Sequence, residues 1–209
     1  HNVSSAASDV YKRQLFYSAS GNVRGLAHAI ANGAEYEGLP TKLRTVNRIS
    51  REGDEIGEEI ICTKEELVNC SGLALGSPTR FGSMAAPLKY FLDQTGDLWS
   101  NNALENKPGI AFTSTGSMHG GQELTIMNLI TFMFHHGMLI LGSPYSIKEM
   151  HSTKGGGTPY GPSSVSGNQT NLTNDEKIIA EKSGGRIARF ILNKDCLLYT
   201  SDAADDTLW

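Results

Sequence analysis

Short apolar runs alternate with helical stretches along this chain, and that alternation limits the fold more than any other feature. Residues 15–17 form the stub of a first strand, and across 22–34 Val23, Leu26, Ala27, Ile30 and Ala34 recur at helical spacing. Segment 41–49 alternates Leu43, Thr45 and Asn47 against Lys42, Arg44 and Val46, which suits an outer strand. Residues 50–63 are charged and irregular and read as an exposed connection. A short helix is expected over 64–70, with Thr63 as N-cap and Glu66 completing a capping box. Strands follow at 73–76, 109–114 and 138–141, interleaved with helices over 85–94 and 122–136. A Gly/Ser/Thr/Pro-rich stretch, 143–171, exceeds an ordinary connection, and a last helix spans 175–192 behind Thr173 as N-cap. Strand–helix units repeated in this order imply an α/β domain, a doubly wound five-stranded parallel sheet with helices on both faces.

The two ends stand outside that pattern. One DNA string encodes SSAASDVYKRQ (4–14) in frame, and its reverse complement, one base out of step, encodes CLLYTSDAAD (196–205). Tails related by reverse complementation have no structural origin, and the string matches a transposase adapter used in preparing sequencing libraries. Residues 1–14 and 195–209 are therefore read as adapter-derived tails, and 15–194 as a single domain. Lys12, Arg13 and Gln14 then occupy part of a central parallel strand, which prefers a continuous apolar run.

Charge and cysteine usage remove several function classes. A formal net charge of −4 supplies no basic face for nucleic-acid phosphates, and it lacks the strong acidity of a small electron carrier that docks by charge. Outside the tails, Cys62 and Cys70 have no CxxC partner, which argues against a disulfide framework or a metal site. No run of about 18 apolar residues could span a bilayer. These features lead to the expectation of a cytoplasmic protein with no nucleic-acid partner.

In an open doubly wound sheet, ligands sit beyond the carboxyl ends of the strands. The segments in that position here are rich in Gly, Ser and Thr. SASGNV (18–23) opens a helix, where hydroxyls and free N–H groups form an anion site. It carries neither GK[ST] nor GxGxxG, so a phosphate monoester held without a lysine fits better than a nucleoside triphosphate or a dinucleotide pyrophosphate. An N-capped helix with a polar entry turn is the competing reading. In GSPTRFGSM (76–84), Arg80 is placed to neutralise negative charge on a reduced ring and Phe81 to wall a flat ligand. The alternative there is a surface turn with a solvated arginine and a core phenylalanine. TSTGSMHGGQ (113–122) lets backbone amides approach the edge of a ring closely, or else is a flexible linker with a solvated His119.

GSPTRFGSM (76–84), FLDQTGDLW (91–99), STGSMHGGQE (114–123), HHGM (135–138) and KGGGTPYG (154–161), in that order, resemble the WrbA family of flavodoxin-like NAD(P)H:quinone oxidoreductases. The resemblance covers nearly all of 15–191. It implies a flavodoxin-like fold, bound FMN, NAD(P)H and a quinone as substrates, and a homotetramer. It further implies that Ser18, Ala19, Ser20, Gly21, Asn22 and Val23 hold the FMN phosphate, while Thr79, Arg80 and Phe81 contact the ring and ribityl chain. Ser114, Thr115, Gly116, Ser117, Met118, His119 and Gly120 would line the polar edge of the ring. His135 would reach FMN from a neighbouring subunit, and Trp99 would wall the cavity where nicotinamide and quinone take turns. Ser20 stands where some members carry an aromatic residue against the dinucleotide, a departure that bears on NADH versus NADPH preference. Without the resemblance, the paired histidines read as satisfied structural groups and Trp99 as core or interface.

No acid/base pair or nucleophile–base arrangement is visible, which agrees with a reaction carried by a flavin. The expected reaction is a ping-pong transfer, from NAD(P)H to the cofactor and then to the quinone, with Arg80 acting electrostatically. A flavodoxin-type FMN carrier serving a protein partner is the alternative, and a flavin-free interaction protein on the same fold is a third. Candidate subunit contacts are the apolar stretch 126–134 and the Gly-rich loop 154–161.

Overall fold

The computed structural model describes residues 12–18, 21–49, 60–166 and 171–205, with side chains described from Gln14 to Asn193 within those ranges. In chain order the elements are β1 (Lys12–Phe16), α1 (Asn22–Tyr36), β2 (Thr41–Arg44), α2 (Lys64–Val68), β3 (Gly72–Arg80) and β4 (Ser83–Met84). Then come α3 (Ala86–Asp93), α4 (Gly96–Ser100), β5 (Pro108–Thr115), α5 (Gln122–His135), β6 (Leu139–Ile140), α6 (Glu149–Ser152), β7 (Ser163–Val165) and α7 (Asn174–Asp205). The sheet runs β2-β1-β3-β5-β6 with every neighbour parallel, and the short β4 turns back antiparallel on β3.

Alternation along the strands divides the core in two. Leu15, Leu73, Leu75 and Ala111 face one way and pack with side chains of α2, α3, α4 and α5. Phe16, Ala74, Ile110 and Phe112 face the other way and meet α1 and α7. Helices thus cover both faces, as a parallel sheet requires. The α1–α7 crossing is close because it uses glycines: a Cβ on Gly33 would collide with the Glu181 carbonyl, and one on Gly184 with the Ile30 carbonyl.

Several boundaries differ from the sequence reading. The strand expected over 73–76 extends to Arg80, because β5 pairs with it as far as Pro78↔Ser114 and β4 takes up Thr79 and Arg80. The outer strand expected over 41–49 ends at Arg44, after which Thr45 bridges to Ile61 instead. The helix expected to reach residue 70 stops at Val68, although its capping box is present as expected. Within 143–171, expected as one long connection, lie α6 and β7. β7 runs parallel to β5 from Thr113↔Ser163 to Thr115↔Val165, whereas β6 pairs with Pro108 and Gly109. The fifth position of the sheet is therefore shared by two short strands, one for each half of β5. Residues 50–59, part of the connection expected to be exposed, lie outside the described residues.

β1 contains the residues expected to suit it badly. Gln14 is fully buried, opposite Leu43 on one side and Ala74 on the other, and neither amide atom has a hydrogen-bond partner. An amide buried in this way costs free energy that an apolar side chain would not. Gln14→Leu should therefore stabilise the fold by about 2 kcal/mol. A higher urea midpoint at unchanged m-value would show it, and an unchanged or lower midpoint would refute it.

Candidate functional site

Parallel pairing delivers the three Gly/Ser/Thr-rich segments to one rim. Tyr17 N–H donates to the Gly76 carbonyl at 3.1 Å, joining the first segment to the second. Gly121 lies so near Gly82 that an added Cβ would stand 3.2 Å from its Cα, joining the second to the third.

At the first segment Ser18 is buried, and its Oγ accepts from Gly21 N–H at 3.1 Å and Arg24 N–H at 3.4 Å. Gly21 has φ +91°, a left-handed conformation that glycine adopts without a Cβ penalty, and it turns the chain into α1. Asn22 and Val23 are buried in the first turn, which carries no acidic side chain. No acidic side chain in that turn opposes an anion at the positive end of the α1 dipole. Ala19 and Ser20 lie outside the described residues.

The second segment is rigid at its base and open at its tip. Ser77 is fully buried; its Oγ accepts from Ala85 N–H at 2.8 Å, and its carbonyl accepts from Thr113 Oγ1 at 2.7 Å. Thr79 shares a short hydroxyl–hydroxyl bond with Thr125 on α5. Asn128 Oδ1 accepts from Ser83 Oγ at 3.1 Å and from Met84 N–H at 3.3 Å. Above this base, Arg80 Nη1 donates to the Thr79 carbonyl at 2.9 Å. Phe81 has φ +52° and is fully solvent-exposed, not in the core. A bulky side chain in that backbone region costs about 1 kcal/mol or more, and here no burial of the ring offsets it. Phe81 thus combines backbone strain with a fully exposed ring.

The third segment repeats the design. Ser114 and Thr115 are buried, and Thr115 Oγ1 donates to the Ser117 carbonyl at 2.8 Å. Gly120 N–H donates to the same carbonyl at 3.1 Å, and Gln122 Nε2 donates to the Met118 carbonyl at 3.1 Å. Gly116, Ser117, Met118 and His119 stand in solvent and Gly120 is half-buried. Hydrogen bonds thus tie the segment at both ends.

His135 and Trp99 are elsewhere. His135 is the last residue of α5, about 20 Å along its axis from the rim. The two residues instead share a cleft of about 210 Å³ with Thr95, Phe132 and His136. Beside them, His136 is buried against the Phe132 ring at 4.5 Å, with Nε2 3.4 Å from Thr95 Oγ1 and Nδ1 unpartnered. Burial, and secondarily the neighbouring His135, lowers the His136 pKa from its ordinary value. Sequence reasoning did not single out Ser77, Thr113, Thr125, Asn128 or Ser163, whose polar atoms brace the rim. A clue existed only in their being polar where apolar residues were expected.

Among the described residues no cluster of three His, Cys, Asp or Glu could hold a metal ion, and no helix is long and apolar enough to cross a membrane. Residues 17–152 match the NADPH-dependent FMN reductase family. The chain belongs to that family. It is 45% identical over 160 residues to NAD(P)H dehydrogenase (quinone) 3 of Rhizobium meliloti (strain 1021), covering 72% of this chain and 76% of that one. It is 38% identical over 168 residues to NAD(P)H dehydrogenase (quinone) of Sinorhizobium fredii (strain NBRC 101917 / NGR234), covering 73% and 81%. In fold it resembles a flavodoxin, WrbA-like protein from Agrobacterium tumefaciens, with a TM-score of 0.66 at 20% identity over 88% of this chain and 98% of that one.

His136 gives this protein a specific acid sensitivity. An unfolded imidazole takes up a proton near pH 6.5, whereas the buried one resists it until lower pH. The unfolded state therefore binds more protons in that window, and stability falls as pH drops below about 6.5. His136→Asn should show a smaller loss of urea midpoint between pH 7 and pH 5 than the native chain. Equal losses in the two proteins would remove His136 as the cause.

Proposed function

We propose that this chain is an FMN-dependent NAD(P)H dehydrogenase that reduces quinones to hydroquinones by two electrons. The observation that carries the proposal is the convergence of the three segments on one rim, in a chain 45% identical to a protein named NAD(P)H dehydrogenase (quinone) 3. The donor set fits FMN. The turn at Gly21 and the acid-free first turn of α1 suit a dianionic phosphate. The exposed Phe81 suits the face of a flat ring, and the exposed backbone of 116–119 suits its polar edge.

FMN, when bound, supplies the redox chemistry, accepting a hydride from NAD(P)H and returning two electrons to the quinone. The residues of the chain do the rest. Ser18, Ala19, Ser20, Gly21, Asn22 and Val23 bind the phosphate. Thr79, Arg80 and Phe81 orient the ring, with the Arg80 guanidinium offsetting negative charge that gathers there during turnover. Ser114 to Gly120 line the polar edge of the ring, with the exposed 116–119 backbone supplying the amides that donate to it. Because nicotinamide and quinone use one cavity, turnover is ping-pong.

The site is completed in a homotetramer, with His135 and Trp99 supplied from neighbouring subunits. Support comes from α5, where Leu124, Met127 and Phe134 form an exposed apolar stripe. Only part of the expected contact stretch 126–134 is available for such contacts, since Ile126, Leu129, Ile130 and Met133 are buried in the chain's own core. A cytoplasmic location belongs to the same proposal and is supported by Cys62 and Cys70 being buried thiols.

The test is NADH oxidation by the purified chain with benzoquinone, with and without added FMN. FMN-dependent turnover is expected, and bound FMN without quinone-dependent turnover would make the chain a carrier. Arg80→Ala should lower kcat/KM about tenfold or more, as loss of a charged stabilising group does. Unchanged turnover and unchanged FMN affinity would remove Arg80 from the site.

A further inference from the structure

The glycine run of KGGGTPYG (154–161) and the buried carboxylate of Glu176 have no part in the proposed reaction, and they meet. Glu176 is 1% exposed. As the third residue of α7 it completes a capping box: its Oε2 accepts from Thr173 N–H at 2.8 Å, and its N–H donates to Thr173 Oγ1 at 3.3 Å. A capping box needs only that oxygen. The other, Oε1, accepts from Gly156 N–H at 2.7 Å and from Val165 N–H at 2.8 Å. Side chains are excluded along this path. A Cβ on Gly155 would stand 2.8 Å from Glu176 Oε1, and one on Gly156 would collide with the Ser163 carbonyl. The run is a backbone wrapped around a carboxylate, not a linker.

From there a relay leads to the rim. Gly157 N–H donates to Ser163 Oγ at 2.7 Å, and Ser163 Oγ donates in a short bond to Gln122 Oε1. Gln122 Nε2 holds the Met118 carbonyl, in the middle of the third segment. Val165, bonded by Glu176, is in register with Thr115, and the next residue, Ser166, donates to the Thr115 carbonyl from N–H at 2.8 Å and Oγ at 3.0 Å. Both ends of the exposed 116–119 backbone are therefore braced from a strand that Glu176 fastens to α7.

We infer that Glu176 is a positioning residue for the segment at the ring's polar edge, acting through the glycine run, β7, Ser163 and Gln122. In its use of FMN as ligand the inference rests on the proposed function. Glu176→Gln is the sharpest variant, because an amide must turn its NH2 either toward Thr173 N–H or toward Gly156 and Val165 N–H, donor against donor. Thr173→Ala is the control. It breaks the same capping box while leaving Oε1 and the relay in place.

The experiment measures FMN affinity by quenching of FMN fluorescence, the visible absorption of bound FMN, and hydrogen exchange at the Gly120 and Ser166 amides. Glu176→Gln should weaken FMN about tenfold, the loss of one charge-assisted bond's worth of positioning. It should also shift the flavin absorption band and speed both amides. Thr173→Ala should lower thermal stability yet change FMN affinity less than about twofold. Ser163→Ala, which removes no charge, should weaken FMN comparably, and the double variant should lose less than the two separate losses combined. FMN affinity unchanged in Glu176→Gln, or reduced no further than in Thr173→Ala, overturns the inference. If the native chain binds no FMN, the proposed function fails separately and the exchange decides: faster Gly120 and Ser166 amides support positioning, and unchanged ones overturn it.

Discussion

Parallel pairing of β1, β3 and β5 is the constraint on which the rest depends. Strands that all run one way release their following segments at one edge, and here the register from Leu73↔Gly109 to Pro78↔Ser114 carries β3 and β5 together right to that edge. Glycine-rich segments far apart in sequence thereby become neighbours. The same pairing obliges both faces of the sheet to be covered, so Leu15 and Phe16, adjacent in the chain, enter different cores.

The rim combines a satisfied polar base with an open tip. Ser77, Thr113, Thr125, Ser163 and Gln122 are buried and hydrogen-bonded, and their bonds run between elements more often than within one. Buried polar groups of this kind are costly unless every partner is in place, so they restrict the backbone above them to one arrangement. Phe81, Met118 and His119 stand above that base in solvent. A ligand meeting such a surface finds the ordering of the backbone already done. The divided fifth strand contributes to this, since β7 supports the upper half of β5, from Thr113 to Thr115.

Local features were legible in the sequence. The capping box expected at Thr63 is present, and Thr173 caps the last helix as expected, both depending on residues three apart. The helices over α1, α3 and α5 followed from apolar spacing to within a residue or two. The upper half of β3 was not legible, because GSPTR carries turn-forming residues and becomes strand only through β5 and β4. The strand inside the Gly-rich stretch was likewise hidden, since SSV offers no apolar run and its pairing partner lies about fifty residues earlier.

The candidate site divides along the same line. Sequence by itself determined which segments are candidates for ligand chemistry, because a polar, glycine-rich turn between an apolar strand and a helix is a local signature with a physical cause. It also marked Gln14 as a poor occupant of a central strand, and the structure leaves that amide buried and unpartnered. Only the tertiary structure decided that Phe81 faces water, that His135 and Trp99 gather at the opposite end of α5 from the rim, and that one oxygen of Glu176 serves a helix while the other serves a loop. Those outcomes depend on contacts between residues distant in sequence, whose geometry is set by the register of a parallel sheet and by the cost of leaving a buried polar group unpartnered, and neither condition can be written into a short stretch of chain.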